Sequence, residues 1–367
     1  MAGSTIGKNI VLTTWGESHG EALGVVIDGF PAGMELSEED IQKFLDRRKP
    51  GTSAATTSRK EDDKVEVLSG VFEGRTTGTP ISLMVRNTSQ RSSDYSEIAD
   101  CYRPGHADYG FDNKYGFRDY RGGGRSSGRE TTGRVAAGAL CSKLLEQMGI
   151  KVTAFTRSIG DIEINEDRFD PALRLKTPTA MPDAEADKQA MELIAKCREE
   201  NDSIGGVIEC HISGIPAGIG EPVFDKLDAL LSRAVMSIGA VKAVEIGDGC
   251  LVSKYRGSEN NDPFESDAIR IYKRSNHSGG ILGGISDGSE IILRAHVKPT
   301  PSIYRTQDTV NRDGENISIN IKGRHDPVVV PRAVVVVESM CAHTVLDLMI
   351  SNMSSKADSI VDFYKKK

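Results

Sequence analysis

The sequence predicts an α+β fold, and three observations predict it. Strand-like segments come in groups followed by helical ones, so the strict strand–helix alternation of a doubly wound sheet is missing. Apolar residues recur at helical spacing in some stretches and at alternate positions in others. The 367 residues, 38% hydrophobic and 27% charged, have the composition of a globular chain with core enough for one large domain or two ordinary ones.

The elements follow in order. Asn9–Thr13 and Ala22–Ile27 read as strands. Ser37-Glu38-Glu39-Asp40 opens a helix, with a serine N-cap, an acid three positions on, and Ile41, Phe44 and Leu45 on one face; it stops before Pro50-Gly51. Lys64–Val71 and Ile81–Val85 are strand-like. The stretch Tyr95–Gly128 is too long and glycine-rich for a plain connection, and loops of that kind are usually functional. A helix is expected from near Arg129 to Met148, where Val135, Leu140, Leu144 and Met148 share helical spacing. Further helices are expected over Ala184–Glu200, Phe224–Met236 and Cys341–Met353 and in the basic-ended tail from Ser355. Strands are expected over Val152–Phe155, Val207–Ile212, Val241–Ile246, Ile291–Val297, Ile317–Ile321 and Val334–Val337.

The longest apolar tracts, Val328–Val330 and Ala333–Val337, are separated by Pro331-Arg332 and read as strands. No window approaches the roughly 18 to 20 apolar residues of a membrane span, so no membrane partner is expected. Met1–Lys8 lacks a charged-then-apolar signal pattern, and the six cysteines are scattered without a CxxC pair. A disulfide framework and a metal site are therefore not expected, and a reducing cytoplasm is the default location.

Charge is unevenly spread. The formal net charge of −7 counts against a general nucleic-acid binder. Yet Arg47, Arg48, Lys49, Arg59 and Lys60 form a run with no acid, and Arg103 to Arg134 holds seven basic residues against four acids. Such segregation is the footprint of a small anionic ligand, or else a solvated surface patch. The second run contains Arg121-Gly122-Gly123-Gly124-Arg125-Ser126-Ser127-Gly128-Arg129-Glu130. Its glycines let backbone N–H groups converge on an anion, its serines add donors, and Arg125 and Arg129 can fork onto phosphate or carboxylate. No GxxxxGK[ST] occurs and the glycine spacing does not give GxGxxG, so kinase, NTPase and dinucleotide-fold readings lose their support. The 38 glycines, against only 20 aromatics (10 Phe, 9 Tyr, 1 Trp), point to tight turns and close backbone approaches.

Gly16-Glu17-Ser18-His19-Gly20 formally satisfies the nucleophile-elbow pattern of hydrolases, but a strand after Ser18 puts that serine on a hairpin. His106, in Arg103-Pro104-Gly105-His106-Ala107-Asp108, can act as a general acid toward a phosphate leaving group or be a histidine bonded to a loop carbonyl. Asp326, between His325 and Pro327, is a base or a turn residue. His277 is given no chemistry, and His211, His296 and His343 read as core.

Assembled, these segments resemble the chorismate synthase family: Gly16–Gly20, Gly124–Ala139, Arg324-His325-Asp326-Pro327 leading to Glu338, Arg103–Asp108, Ser275–Ile285 and Lys298-Pro299-Thr300. The matches run from residue 3 to about 343, implying one catalytic domain over residues 1–367. The resemblance implies a β-α-β sandwich, a helical layer between antiparallel sheets, assembled as a homotetramer. It implies a lyase of the shikimate pathway of aromatic amino-acid biosynthesis. This enzyme converts 5-enolpyruvylshikimate 3-phosphate to chorismate and phosphate by anti 1,4-elimination, with reduced FMN and no net redox change. By position, the resemblance makes His19, His106 and Asp326 catalytic, and Ser18, Arg48, Arg103, Ser127 and Arg129 substrate-binding. It gives FMN Arg125, Ser126, Ser127, Gly239, Ala240, Gly283, Lys298, Pro299, Thr300, Pro301, Ser302 and Arg324, and makes Arg48 the NADP-related position. Two departures stand out: Ala54 where bacterial relatives often carry arginine, leaving Arg59 to substitute or binding to be weaker, and Pro301 where relatives often have serine. Whether NADPH reduces the flavin on this chain is left open; without a nicotinamide-binding unit, a separate flavin reductase is the expected source. An RNA-binding reading is disfavoured by acidity and the shortage of aromatics for base stacking.

Overall fold

The computed structural model describes residues 3–51, 61–88, 99–321 and 326–365. Its frame is two five-stranded antiparallel sheets. The first joins β1 (Thr5–Ile6), β2 (Val11–Gly16), β3 (Ala22–Asp28), β4 (Val65–Ser69) and, beyond the small hairpin β5 (Val71–Phe72) and β6 (Arg75–Thr76), β7 (Ile81–Arg86), in the order β1-β2-β3-β7-β4. The second joins β8 (Lys151–Ile159), β9 (Ile162–Glu163), β10 (Gly206–Ser213), β11 (Val241–Ile246) and β16 (Ile291–Val297), in the order β11-β16-β10-β8-β9. Three more hairpins are peripheral: β12 (Phe264–Ser266) with β13 (Ile271–Lys273), β14 (Ile281–Leu282) with β15 (Ile285–Ser286), and β17 (Thr306–Val310) with β18 (Asn316–Asn320).

Alternation makes each sheet one-faced. In β16, Ile291, Leu293, Ala295 and Val297 are buried while Arg294 and His296 face the other way, and in β7 Ile81, Leu83 and Val85 are buried. The register sets Cys210 opposite Leu293 on one side and Ala154 on the other, all fully buried. The buried faces turn toward helices α1 (Glu38–Arg48), α3 (Thr131–Gln147), α5 (Leu227–Met236) and α7 (Val330–Asn352): α3 lies on β2, β3 and β7, α7 on β8 and β10, and the two helices pack on each other. The result is the expected sandwich, a helical layer between two antiparallel sheets. Helices α2 (Asp108–Tyr115), α4 (Ala184–Glu199), α6 (Gly257–Asn260) and α8 (Ala357–Lys365) are more peripheral.

Close approach in this layer depends on two glycines. A Cβ on Gly138 of α3 would stand 2.1 Å from Ser339 Cβ of α7, and one on Gly133 would stand 2.8 Å from the Gly24 carbonyl of β3. Among the described residues 25 further glycines have positive φ, a conformation that glycine adopts without strain.

Helix α1 begins where the sequence indicated, with a complete Ser37–Asp40 capping box. The largest correction is α7. Val334–Val337, expected as a strand, is helical, and Pro331 sits in the helix's first turn, where its missing N–H costs nothing. The helix is buried on all sides between Val330 and Leu348, so neither period shows and its valines mimic a strand. It is also long and apolar enough to cross a membrane, contrary to the sequence expectation, yet 89% of its apolar window is buried between the sheets. Its polar residues have protein partners: Asp347 accepts from the amides of Lys8, Asn9 and Ile10, and His343 Nε2 donates to the Ile10 carbonyl at 2.7 Å. His343 is core as expected. His211 and His296 are not: they lie on the outer face of the second sheet, paired with Glu209 and Glu290, and with Glu245.

Candidate active site

The β2–β3 turn carries Ser18 and His19, confirming a hairpin rather than a strand-to-helix elbow for the G-x-S-x-G match. Ser18 Oγ lies 3.0 Å from His19 Nδ1. Gly122 of the glycine-rich loop closes over this pair: a Cβ there would be 2.6 Å from the His19 ring and 3.2 Å from Ser18 Oγ.

Two arginines converge beneath the hairpin on one carboxylate. Arg48, at the end of α1, pairs with Asp63 Oδ2, while Arg129 Nη1 meets Asp63 Oδ1 at 2.5 Å and also pairs with Glu61. All four residues are buried. Arg129 Nε donates to Asn87 Oδ1 at 2.8 Å, and Asn87 Nδ2 donates to the carbonyls of Glu17 and Gly20, tying Arg129 to the hairpin. Burial pushes the Asp63 carboxyl up, but the charges of Arg48 and Arg129 outweigh it and hold the group at about 2. Burial lowers the pKa of Arg48 against the pull of Asp63, and Arg332 and Arg129 add to the lowering.

Asp326 joins through Arg332, which pairs with Asp326 and donates from Nε to the Arg48 carbonyl at 3.0 Å. Arg103 forks onto Asp108 at 2.7 Å for both bonds and reaches the Gly122 carbonyl at 3.3 Å, linking the His106 loop to the glycine loop. His106 Nδ1 bonds the Pro104 carbonyl at 3.0 Å, which requires a proton on Nδ1. In the neutral ring Nε2 is then an acceptor, met by the Ser302 hydroxyl at 2.9 Å. Burial, reinforced by the Arg103 charge, lowers the His106 pKa to about 4. Of the two sequence readings of His106, the bond to a loop carbonyl is present, and the ring also lies beside the Arg103 charge.

The segment after β16 is drawn to the same loop. Lys298 Nζ donates to the Gly105 carbonyl at 2.9 Å, Lys298 N donates to the Ala240 carbonyl at 2.9 Å, and Ser203 Oγ donates to the Thr300 carbonyl at 2.6 Å. Arg134 Nη1 reaches Ser237 Oγ at 2.6 Å, fastening the start of α3 to the Ser237–Ala240 turn. Arg125 donates to the carbonyls of Thr14 and Gly16 and to the Thr14 hydroxyl, and with Ser126 it lines a cavity of about 960 Å3. Gly283 is not brought to the others: its hairpin abuts Lys226 and Leu227 at the opposite end of α5, roughly 15 Å along that ten-residue helix. Arg324, Ala54 and Arg59 lie outside the described residues.

The cationic islands prove largely neutralised by acids. Arg47 pairs with Glu338, Lys49 with Asp46, Arg103 with Asp108, Arg118 with Asp112, Arg121 with Asp119 and Arg134 with Glu130. The amides of Ser126 and Ser127 are spent on the loop's own turns, to Gly123 and Gly124 carbonyls. What the fold leaves open is narrower: Arg48 Nε and Arg129 Nη2 are buried donors with no partner among the described residues. Asp63, Asn87 and Arg332 were missed in the sequence; only the acid run Glu61-Asp62-Asp63 beside the first basic island signalled a counter-charge.

A family model described as chorismate synthase matches residues 10–350. The chain belongs to the chorismate synthase family. It is 62% identical over 367 residues, all of both chains, to the chorismate synthase of Lachnoclostridium phytofermentans. Identity is 60% over 366 residues, again all of both chains, to that of Agathobacter rectalis. To the archaeal relative of Methanococcoides burtonii it is 55% over 353 residues, 95% of this chain and 96% of the relative. A solved structure described as the crystal structure of chorismate synthase superposes with a TM-score of 0.76 at 30% identity, covering 98% of each chain. The chain is thus a lyase of the chorismate synthase family, which acts in the shikimate pathway, and the hydrolase and RNA-binding readings fall away.

Proposed function

We propose that the enzyme converts 5-enolpyruvylshikimate 3-phosphate to chorismate and phosphate by anti 1,4-elimination, with reduced FMN as cofactor. The observation that carries the substrate reading is the pair of buried donors on Arg48 and Arg129 that have no partner among the described residues: an unsatisfied guanidinium N–H is costly unless an anion fills the gap. A substrate with one phosphate and two carboxylates supplies such oxygens.

The residues present fit the flavin. Thr300 Oγ1 is a buried hydroxyl without a partner among the described residues, in the same segment as Lys298 and Ser302, and nothing lies within 4 Å of a Cβ on Gly124, Gly128 or Gly239. Free donors beside open backbone suit a phosphate-bearing planar group. Arg125, Ser126, Ser127, Gly239, Ala240 and the stretch from Lys298 through Pro299, Thr300 and Pro301 to Ser302 would hold it, with Arg324; Gly283, at the far end of α5, is left out. When bound, reduced FMN supplies electron density that lets phosphate leave and the C6 hydrogen be removed without net redox change.

The chain's own groups do the rest. Arg48, Arg103, Ser127 and Arg129 hold the substrate's anionic groups, with Ser18 assisting. His106 protonates the departing phosphate from Nε2. At about pH 4 that nitrogen loses its proton in the free protein, so a phosphate dianion must first raise its pKa, which couples protonation to substrate binding. His19, braced by Ser18 and Gly122, donates toward the flavin and balances its anionic charge. Asp326, oriented by Arg332, is the carboxylate that takes up the remaining proton.

We further propose one catalytic domain over residues 1–367, a cytoplasmic homotetramer, and a separate reductase as the source of reduced flavin, since the sequence carries no recognisable nicotinamide-binding unit. The decisive experiment is anaerobic incubation with reduced FMN and enolpyruvylshikimate phosphate, following phosphate release and chorismate absorbance. No turnover by folded protein would sink the assignment.

A further inference from the structure

The C-terminal end of α1, the first turns of α7 and the segment 174–180 enclose a second cavity of about 400 Å3. Its walls carry four cations, Arg47, Arg174, Lys176 and Arg332, against Asp46, and Arg332 is already paired with Asp326. Asp46 is already engaged by Lys49 at 2.8 Å. At the base, Arg47 and Arg174 share a single buried carboxylate, Glu338, at 2.6 and 3.2 Å. Burial, with a smaller push from the neighbouring Arg47 charge, lowers the Arg174 pKa against the pull of Glu338. Lys176 is exposed at the rim, beside the apolar walls of Leu175, Pro178 and Pro331.

We infer that this cavity is a binding site for a small phosphate monoester, its dianion held by Arg174 and Lys176 and its organic part lying on Leu175, Pro178 and Pro331. Two half-buried guanidiniums sharing one carboxylate retain donors and charge for a second anion, and the planar fork suits phosphate. Size favours an ester over free phosphate. At about 30 Å3 per water, the cavity has room for roughly a dozen waters, more than a five-atom anion fills. The site is distinct from the arginine cluster around Asp63, although Arg332 touches both.

Calorimetric titration of the full chain with inorganic phosphate and with phenyl phosphate tests this. Phenyl phosphate is expected to bind more tightly than phosphate. Lys176→Glu, an exposed change that leaves the core alone, should weaken that binding at least tenfold, and Arg174→Gln should do likewise. Arg129→Gln, in the active site, should leave it in place. Unchanged isotherms in both Lys176→Glu and Arg174→Gln, or loss of all binding in Arg129→Gln, would overturn the proposal. Equal affinity for the two probes would overturn the ester assignment.

Discussion

Asp63 is the carboxylate on which the arginine cluster turns, and Asp63→Asn tests that role. The group is buried and accepts from both Arg48 and Arg129. Its depression from 3.8 to about 2 corresponds to roughly 2.5 kcal/mol of stability. Because the folded-state pKa is the lower one, this contribution is complete above pH 3.8 and lost as pH falls through about 2. Removing one member of a buried ion pair typically costs more, about 3–5 kcal/mol. The two figures differ because protonated Asp63 can still accept hydrogen bonds, whereas asparagine turns an NH2 toward a cation. Glu61 continues to pair with Arg129 in the variant, but Arg48 is left without a carboxylate among the described residues. The expected loss is therefore near the lower bound, about 3 kcal/mol. Urea midpoints at neutral pH and fixed protein concentration, with the slope unchanged, measure it. The variant should also raise the KM for substrate, since both arginines lose their anchor. Stability within about 0.5 kcal/mol of wild type together with an unchanged KM would refute the reasoning.

Four other outcomes are expected. His106→Ala should lower turnover by about 10² to 10⁴, the usual weight of a general acid. In an NMR titration the His106 ring should remain neutral down to about pH 4 in the free protein and take up a proton at higher pH when phosphate is bound; an unmoved titration would remove the substrate-coupled proton. Gly122→Ala, with φ +118° and a Cβ 2.6 Å from the His19 ring, should cost about 1–3 kcal/mol and reduce kcat more than KM, and a fully active variant would separate Gly122 from His19 positioning. Burial lowers the His211 pKa, but its bonds to Glu209 and Glu290 raise it further, to about 9. Its contribution is therefore full below pH 6.5 and lost as pH rises through about 9, so His211→Asn should flatten the stability–pH curve between those values, and an unaltered slope would discard the assignment.

Most of the architecture was legible where one face of an element is wet. The capping box at Ser37, the alternation of Ile291–Val297 and the hairpin around Ser18 each carry a local signal that burial on one side preserves. The first half of α7 carried none: buried on every side, it shows no period, and β-branched valines dominate it. Helix α2 was hidden for another reason, being short, interrupted by Gly110 and set in a loop whose glycines announce turns. At the site, His19, His106, Arg103 and Arg129 stand beside glycines and are visible by company. Asp63, Asn87 and Arg332 are not, because their roles arise from partners 66, 42 and 284 residues away.

That distance explains why reading charge along the chain overstated the site. A run of basic residues attracts an anion only if the fold does not bring acids to it, and here the fold brings Asp63, Glu61 and Glu338. Their presence does not weaken the case for an anionic ligand; it changes what each arginine contributes. Unpaired guanidiniums crowded into a buried cluster would repel one another and leave for solvent, whereas sharing Asp63 fixes Arg48 and Arg129 before the substrate arrives. The donors this arrangement leaves over among the described residues, Arg48 Nε and Arg129 Nη2, are few and directional. Specificity for the proposed substrate, with its phosphate and two carboxylates, then rests on where those N–H groups point rather than on net charge, so a salt-insensitive binding step is the expected physical consequence of burying the cluster.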